Sequence, residues 1–147
     1  MTAPEAIAKA YLDALCGRDI EKMRPLLSDD FVLESPYNLT GTNDPNEPDS
    51  GDFWRGKEKA CAKFEQSWRD IETTMFSDVD IWPTNDPTVV FVEARGSMTM
   101  SNGRSYNNLY VLRFDLEDGK IRKLTEYRNP VTAAIAFGRP LPRSSES

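Results

Sequence analysis

Residues 104–128 read RSYNNLYVLRFDLEDGKIRKLTEYR, and this stretch decides the fold class of the chain. Apolar and polar residues alternate on both sides of Glu117-Asp118-Gly119-Lys120, a tetrapeptide with the composition of a tight turn. Such alternation is typical of half-buried strands. We therefore predict two antiparallel strands, Arg104 to Asp115 and Ile121 to Arg128, joined as a hairpin.

Two more strands are predicted before this hairpin. Thr73 to Trp82 is followed by a segment rich in Pro, Asn and Asp, which ends a strand. Thr88 to Met100 then leads into Ser101-Asn102-Gly103, a strong hairpin signal. The order of these segments predicts a four-stranded antiparallel meander over residues 73–128.

The first half of the chain has helical patterns instead. Thr2 and Glu5 have the spacing of a capping box, and Gly17 can supply the left-handed conformation that ends a helix. Between them, one helix face carries Ile7, Tyr11, Ala14 and Leu15. Asp19 can cap a second, short helix, and Phe31 to Ser35 is predicted as a strand.

Gly56 to Ile71 is the strongest helix signal, because its apolar residues recur at helical spacing. Helices in one half and an antiparallel sheet in the other predict the α+β class. We expect one domain over residues 1–139, a cone-shaped α+β barrel in which a curved sheet wraps around the long helix, and a flexible tail at 140–147. Residues 36–52 are irregular, and they are either a disordered surface loop or a lid over the open end of the cone.

Composition restricts the chemistry. The 147 residues include 18 basic and 24 acidic residues, a net charge of −6, and no histidine. Histidine-dependent nucleophile systems and zinc sites are therefore excluded, and a general acid or base must be Glu, Asp, Lys, Tyr or Cys. Cys16 and Cys61 are too few for a metal site and are expected to be free thiols of a cytoplasmic protein.

The same composition limits the partners. The acidic balance argues against nucleic-acid binding, and no apolar run approaches the length of a membrane span. The first residues lack the pattern of a signal peptide. We expect a small-molecule ligand, no metal and no organic cofactor.

Glu126 is the main candidate for proton transfer. On a strand it shares one face with Leu124 and Arg128, and this face is expected to point into the cone. A desolvated glutamate there would have a raised pKa, as a general acid or base near neutral pH needs. The alternative is an exposed Glu126–Arg128 ion pair, and the pattern alone does not separate the two.

Other polar side chains fall on elements that face the cone. Tyr110 and Tyr11 can donate a hydrogen bond to a carbonyl or enolate oxygen, although packing in a core or interface is the more common role of a single tyrosine. Lys63 and Ser67 are neighbours at i, i+4 on the long helix. Lys63 is either a solvated lysine or a ligand-binding group.

Two segments resemble ketosteroid isomerase, a member of the nuclear-transport-factor-2-like superfamily that also contains SnoaL-like cyclases and limonene-epoxide hydrolase. They are residues 19–36, DIEKMRPLLSDDFVLESP, and residues 112–121, LRFDLEDGKI. The resemblance implies the cone-shaped fold. It places Tyr11 and Tyr110 at the isomerase's two oxyanion-hole donors and Ser35 at its aspartate base, so that base is absent.

A closer resemblance, over roughly residues 55–140, is to the phenazine-biosynthesis A/B family of the same superfamily. It rests on residues 56–60, on residues 80–87 and on the motif Glu126-Tyr127-Arg128-Asn129-Pro130 with the residues around it. The resemblance implies that Glu126 transfers protons and that Ser67 lines the site. It also implies that Lys63 replaces a histidine and that the chain forms a homodimer through the outer sheet face.

The sequence thus favours a cofactor-independent isomerase, cyclase, dehydratase or condensing enzyme of natural-product metabolism. Glu126, Tyr110 and Lys63 would be catalytic, and the substrate-binding residues would be Tyr11, Ser67, Trp68, Arg128, Trp54 and Tyr37. A binding protein with the same pocket is the alternative, since fold does not settle function. Epoxide opening is a third possibility, with only Glu126 and Arg128 placed to perform it.

Overall fold

The protein is seen in a computed structural model that describes residues 1–41 and 53–142. Its helices in these ranges are α1 (Ala3–Gly17), α2 (Ile20–Met23), α3 (Lys57–Asp70) and α4 (Pro130–Phe137), with a 3-10 turn, Arg24–Leu26, after α2. Its strands are β1 (Leu27–Glu34), β2 (Phe53–Arg55), β3 (Ile71–Thr73), β4 (Phe76–Pro83), β5 (Val89–Gly96), β6 (Met98–Met100), β7 (Ser105–Tyr106), β8 (Leu109–Glu117) and β9 (Lys120–Arg128). The predicted α+β class is confirmed.

Helix α1 begins at the predicted capping box. The Thr2 side chain accepts a hydrogen bond from the Glu5 backbone N–H, and the Glu5 side chain accepts one from Thr2 in return. Its end differs from the prediction, because Arg18, not Gly17, adopts the left-handed conformation with φ 53°. The Arg18 guanidinium donates to the carbonyl oxygens of Trp68 and Ile71, which fixes α1 against the end of α3.

The predicted meander is present, and it is part of a larger sheet. Six strands pair in the order β2-β1-β9-β8-β5-β4. Strand β1 joins β9 in parallel, with Leu33 opposite Leu124, and β2 pairs antiparallel with β1. The expected curved sheet is confirmed, and the pairing of β1 with β9 is the one parallel pair among the strands of the described residues.

Two predicted long strands are each divided in two. The segment from Thr88 to Met100 breaks between Gly96 and Met98, and the segment from Arg104 to Asp115 breaks before Leu109. The pieces β6 and β7 form the predicted hairpin around Ser101-Asn102-Gly103, and they pair with β3 in a separate three-stranded sheet. These breaks turn part of the chain away from the main sheet and leave that sheet curved and open.

The core lies between the curved sheet and helices α1 and α3. Its fully buried side chains include Phe31, Phe114, Met23, Leu27, Leu112, Ile121 and Leu124. Tyr11 of α1 packs edge-on against Phe114 of β8 and Phe64 of α3, with ring centres 5.3 and 6.1 Å apart. Burial of this apolar surface is the main source of stability for such a fold. In the two described ranges, no helix is long and apolar enough to cross a membrane.

Candidate functional site

A cavity of about 200 Å³ lies between helices α1 and α3 and the inner face of the sheet. Aromatic and aliphatic side chains form most of its wall, and a few charged and hydroxyl groups converge on it. The polar residues at this wall are Tyr11, Lys63, Gln66, Ser67, Asp70, Thr74, Tyr106, Tyr110, Glu126, Arg128 and Arg139. A concave apolar site with few polar groups is typical of a small-molecule pocket.

Glu126 points from β9 into this cavity. Its side chain is 25% exposed. Because Glu126 lines the cavity wall, this exposed part faces the cavity. Burial raises the pKa of the carboxyl group to about 7, and a hydrogen bond from Ser35 Oγ to Glu126 Oε2, 3.4 Å long, opposes part of this rise. Both protonation states of Glu126 are therefore populated near neutral pH.

Arg128 lies two residues further along β9, and its side chain is only 9% exposed. Its Nε is 3.5 Å from Glu126 Oε2, so the pair that the sequence suggested is formed, but inside the cone. Burial and the nearby Arg139 lower the pKa of the guanidinium to about 10. Arg128 stays positively charged at neutral pH and favours the ionised form of Glu126.

Three tyrosines surround the carboxyl group of Glu126. Tyr11, Tyr106 and Tyr110 are 2%, 4% and 5% exposed, and all three line the cavity. Burial is the main cause that raises the pKa of each hydroxyl group, and the negative charge of Glu126 raises it further. They remain protonated at neutral pH and can donate hydrogen bonds.

A glycine allows Tyr110 to reach its position. A Cβ atom at Gly96 would lie 2.9 Å from Cε2 of Tyr110, which is closer than real side-chain contacts allow. The ring of Tyr110 is also held by Phe76, edge-on at 5.6 Å. The placement of Tyr110 therefore depends on the absence of a side chain at Gly96.

Helix α3 supplies the rim of the cavity. Lys63, Ser67 and Trp68 all line it, as the spacing on this helix suggested, and Trp54 of β2 lines it from the neighbouring side. Trp54 and Trp68 both pack against Phe64, with ring centres at 5.4 and 6.3 Å. Lys63 and the two tryptophans are half-buried, so they contact both the cavity and solvent.

Tyr37 is separate from this group. It is 57% exposed, it is not part of the described cavity wall, and its ring lies 5.6 Å from Tyr127 on the outer side of β9. Residues 42–52, which make up most of the proposed lid, lie outside the described residues. The other eight candidate residues come together at the cavity.

Sequence reasoning did not select Ser35, Thr74, Tyr106 or Arg139 as site residues. Alternation places Tyr106 on the same strand face as Tyr110, but that pattern does not distinguish a cavity tyrosine from a core tyrosine. Thr74 Oγ1 is the only buried side-chain N or O atom in the described ranges without a hydrogen-bond partner, and Thr74 lies at the cavity wall. An orphan hydroxyl group there suits a polar ligand atom or a water molecule.

No group of three metal-ligating side chains occurs in the part of the chain that the structure describes. Asp70 and Glu126 are the acidic residues at the described cavity wall, and Cys16 and Cys61 are free thiols outside it. The cavity wall provides the carboxyl group of Glu126 with a pKa of about 7, tyrosine hydroxyl groups and the positive charge of Arg128. Such groups can move a proton and stabilise an oxyanion.

The comparisons with known proteins agree with this architecture. Residues 8–124 match the SnoaL-like domain family, and the chain belongs to that family. No curated protein sequence matches it significantly.

Solved structures with the same fold share little sequence with the chain. A Bacillus subtilis protein provisionally described as an isomerase has a TM-score of 0.78 at 19% identity, over 97% of this chain and 100% of its own. Ketosteroid isomerase from Mycobacterium sp. has a TM-score of 0.73 at 21% identity, over 90% and 97%. A phenazine biosynthesis-related protein from Pseudomonas aeruginosa has a TM-score of 0.69 at 20% identity, over 97% and 92%. At these identities the likeness establishes the fold alone.

Proposed function

We propose that the protein is a cofactor-independent acid–base enzyme that moves a proton on a small, largely apolar substrate with a carbonyl group. The observation that carries this proposal is Glu126, a buried carboxyl group with a pKa of about 7 that faces a cavity lined by tyrosine hydroxyl groups. An isomerase, cyclase or dehydratase reaction would use the same elementary step.

In that step the carboxylate of Glu126 removes a proton from the carbon next to the carbonyl group. The electron pair of the broken C–H bond forms a C=C bond, and the carbonyl oxygen takes up the negative charge. A tyrosine hydroxyl group stabilises this oxygen with a hydrogen bond. Glu126 then returns its proton to a different atom, which completes an isomerisation or prepares a ring closure.

Ser35 supports the placement of this base. By the resemblance to ketosteroid isomerase, Ser35 stands where that enzyme has its aspartate base. Here the hydroxyl group of Ser35 donates to Glu126 Oε2 at 3.4 Å. The carboxylate of Glu126, on β9, therefore lies beside Ser35, the position at the end of β1 that corresponds to the isomerase's base. The base is supplied by a different strand to the same part of the cavity.

The remaining candidate residues would bind the substrate. Arg128 holds the Glu126 carboxylate, and Lys63 and Ser67 provide a charge and a hydroxyl group at the rim. Trp54, Trp68 and Tyr11 offer apolar contact. The volume of about 200 Å³ suits a compact substrate of one or two rings.

Hydrogen exchange tests this proposal without knowledge of the natural substrate. Cyclohexanone, 2-cyclohexenone and acetophenone are incubated with the protein in deuterated water, and loss of the proton signals next to the carbonyl group is followed by NMR. We expect accelerated exchange for at least one compound. Its rate should rise with pH through about 7, because Glu126 must be ionised to act as the base.

The variant Glu126→Gln should lower this exchange rate by at least about 100-fold. Glu93→Gln, a change at an exposed glutamate of β5, is the matched control and should leave the rate unchanged. Equal exchange by Glu126→Gln and the parent would remove Glu126 from the mechanism. Compounds that raise the melting temperature without any exchange would favour the binding-protein alternative.

We also propose an assembly and a biological setting. Val111, Leu109 and Trp82 are exposed apolar residues of the main sheet, which is consistent with a homodimer through the outer sheet face. Sedimentation equilibrium should then give twice the chain mass of 16.7 kDa. A natural-product pathway remains the proposed setting.

A further inference from the structure

We infer that Thr74 binds a second oxygen atom of the substrate, which is then a compact carbonyl compound with a hydroxyl or carbonyl group at its other end. The first oxygen, that of the reacting carbonyl group beside Glu126, rests on the proposed function. Thr74 was not among the residues that the sequence patterns selected.

The hydroxyl group of Thr74 has no partner among residues 1–41 and 53–142. Thr74 is 8% exposed, and its Oγ1 is the only buried side-chain nitrogen or oxygen without a hydrogen bond in these ranges. A buried hydroxyl group of this kind has lost its hydrogen bonds to water and gained none in return, which costs free energy. Because Thr74 forms part of the cavity wall, a group bound in the cavity can supply the missing partner.

The preceding residue, Thr73, provides a contrast. Its Oγ1 accepts a hydrogen bond from the backbone N–H group of Thr99 at 3.3 Å, which helps to join β3 to β6. The hydroxyl group of Thr73 therefore stabilises the fold, whereas that of Thr74 makes no such bond. Valine has nearly the same shape as threonine and would fill position 74 without a buried, unpaired hydroxyl group. A ligand accounts for the hydroxyl group of Thr74, and the packing of the chain does not.

Thr74 and the proposed base occupy different parts of the cavity wall. The carboxyl group of Glu126, on β9, is bonded to Ser35 at the end of β1, whereas Thr74 lies two residues before β4. In the six-stranded sheet, β9 and β8 and then β5 separate β1 from the edge strand β4. Adjacent strands are about 4.8 Å apart. A carbonyl group placed against Glu126 therefore leaves Thr74 to the other end of the substrate.

Two ligands of the same size test this subsite. 4-(Hydroxymethyl)acetophenone and 4-ethylacetophenone differ only by a hydroxyl group in place of a methyl group, and neither ionises near neutral pH. NMR titration of the intact chain gives both dissociation constants. We expect the hydroxymethyl compound to bind about fivefold more tightly, as one added hydrogen bond implies. 1,4-Diacetylbenzene then distinguishes the two oxygen groups, because a carbonyl oxygen is bound only if Thr74 donates the hydrogen bond.

Thr74→Val removes the hydroxyl group and keeps the shape of the side chain. It should reverse the preference, because the methyl group of 4-ethylacetophenone is transferred from water more readily than a hydroxyl group without a partner. Urea unfolding of the ligand-free variant should show a stability no lower than that of the parent. Thr99→Val, at an exposed threonine of β6 outside the cavity wall, is the matched control and should leave both affinities unchanged.

Three results would overturn the inference. The first is tighter binding of 4-ethylacetophenone by the parent, and the second is the same preference in Thr74→Val and the parent. The third is a loss of stability in Thr74→Val, which would show that the hydroxyl group already has a partner, such as a bound water molecule, in the ligand-free protein.

The dissociation constants do not require turnover. If the acetyl protons of these compounds do not exchange in deuterated water, the proposed function fails while a preference lost in Thr74→Val still establishes the subsite. If exchange depends on Glu126 but the two compounds bind equally, the subsite fails and the proposed function stands.

Discussion

The inner face of strands β8 and β9 has two halves that differ in character. In one half, Leu112, Phe114, Ile121 and Leu124 are at most 2% exposed and form closed hydrocarbon packing. In the other half, the same strands continue with Tyr110, Glu126 and Arg128 around a cavity. The pairing is continuous from Phe114–Leu124 to Tyr110–Arg128, so the backbone is shared and only the side chains change.

The comparison shows how the fold separates stability from chemistry. The packed half gains free energy from buried apolar surface. The cavity half keeps a carboxyl group, a guanidinium group and hydroxyl groups away from bulk water, which costs free energy. The following changes test this separation, from the largest expected effect on stability to the smallest.

Phe114→Ala should lower the free energy of unfolding by about 3–5 kcal/mol, because it leaves a void in the packed half. Trp68→Ala removes a half-buried ring at the cavity and should cost less than half as much. Urea unfolding of both variants measures the difference. Equal losses would show that the cavity half is packed as tightly as the other.

Glu126→Gln should raise the free energy of unfolding by about 2–3 kcal/mol at pH 8 and leave it nearly unchanged at pH 4. Between about pH 4.5 and pH 7 the folded chain keeps a proton on Glu126 that the unfolded chain releases, so the stability of the parent falls as pH rises. The amide of Glu126→Gln does not titrate, so the variant does not lose stability over this pH range. Urea unfolding from pH 4 to pH 8 measures it, with Glu93→Gln as control. A Glu126→Gln variant that is less stable than the parent at pH 8 would contradict the raised pKa.

Asn129→Ala should lower the free energy of unfolding by about 1 kcal/mol. The Asn129 side chain caps α4 by accepting from the backbone N–H groups of Val131 and Thr132. Thr2→Ala removes the cap of α1, far from the cavity, and should cost a similar amount. Only Asn129→Ala should also move the NMR titration of Glu126, because the loss of the cap loosens the start of α4, whose Asn129 backbone is hydrogen-bonded to Asn108 between the cavity residues Tyr106 and Tyr110. Identical titrations in both variants would show that the cap and the cavity are independent.

Lys63→Met should change the free energy of unfolding by less than about 0.5 kcal/mol, because Lys63 lies at the rim of the cavity and contributes little to core packing. It should weaken the binding of 4-nitrophenolate several-fold at low salt, since a positive charge is lost beside the anion. Lys59→Met, at an exposed position of the same helix, is the control. Calorimetric titration gives both affinities, and equal binding by Lys63→Met and the parent would exclude a role for Lys63.

Local patterns were sufficient to predict helices α1, α2 and α3, the hairpins and the inward face of β9, whereas α4 was not predicted. The parallel pairing of β1 with β9 could not be predicted, because alternation identifies a strand without identifying its distant partner. The breaks at Gly96 and before Leu109 were missed for a related reason. At Gly96 the side chain of Tyr110 lies so close that a Cβ atom would not fit, and such a tertiary contact is not visible in a local pattern.

In the candidate site, too, local patterns predicted some features, whereas tertiary contacts determine others. The inward orientation of Glu126 and Arg128 follows from alternation on one strand, but the raised pKa of Glu126 depends on burial by other elements. Tyr37 was predicted to bind the substrate, yet its ring lies against Tyr127 on the outside, tilted by 59°. The hydrogen bonds of the buried Asn108 side chain could not be predicted, because they depend on Asn129, which lies 21 residues further along the chain.

The contact between Ser35 and Glu126 joins residues 91 positions apart, through the pairing of an early strand with the last one. Contacts with such long sequence separation close large loops and tend to form late in folding. During synthesis, the carboxyl group and its hydroxyl partner cannot meet until the ninth strand has left the ribosome. The contact between the proposed base and Ser35 is therefore among the last that the growing chain can form.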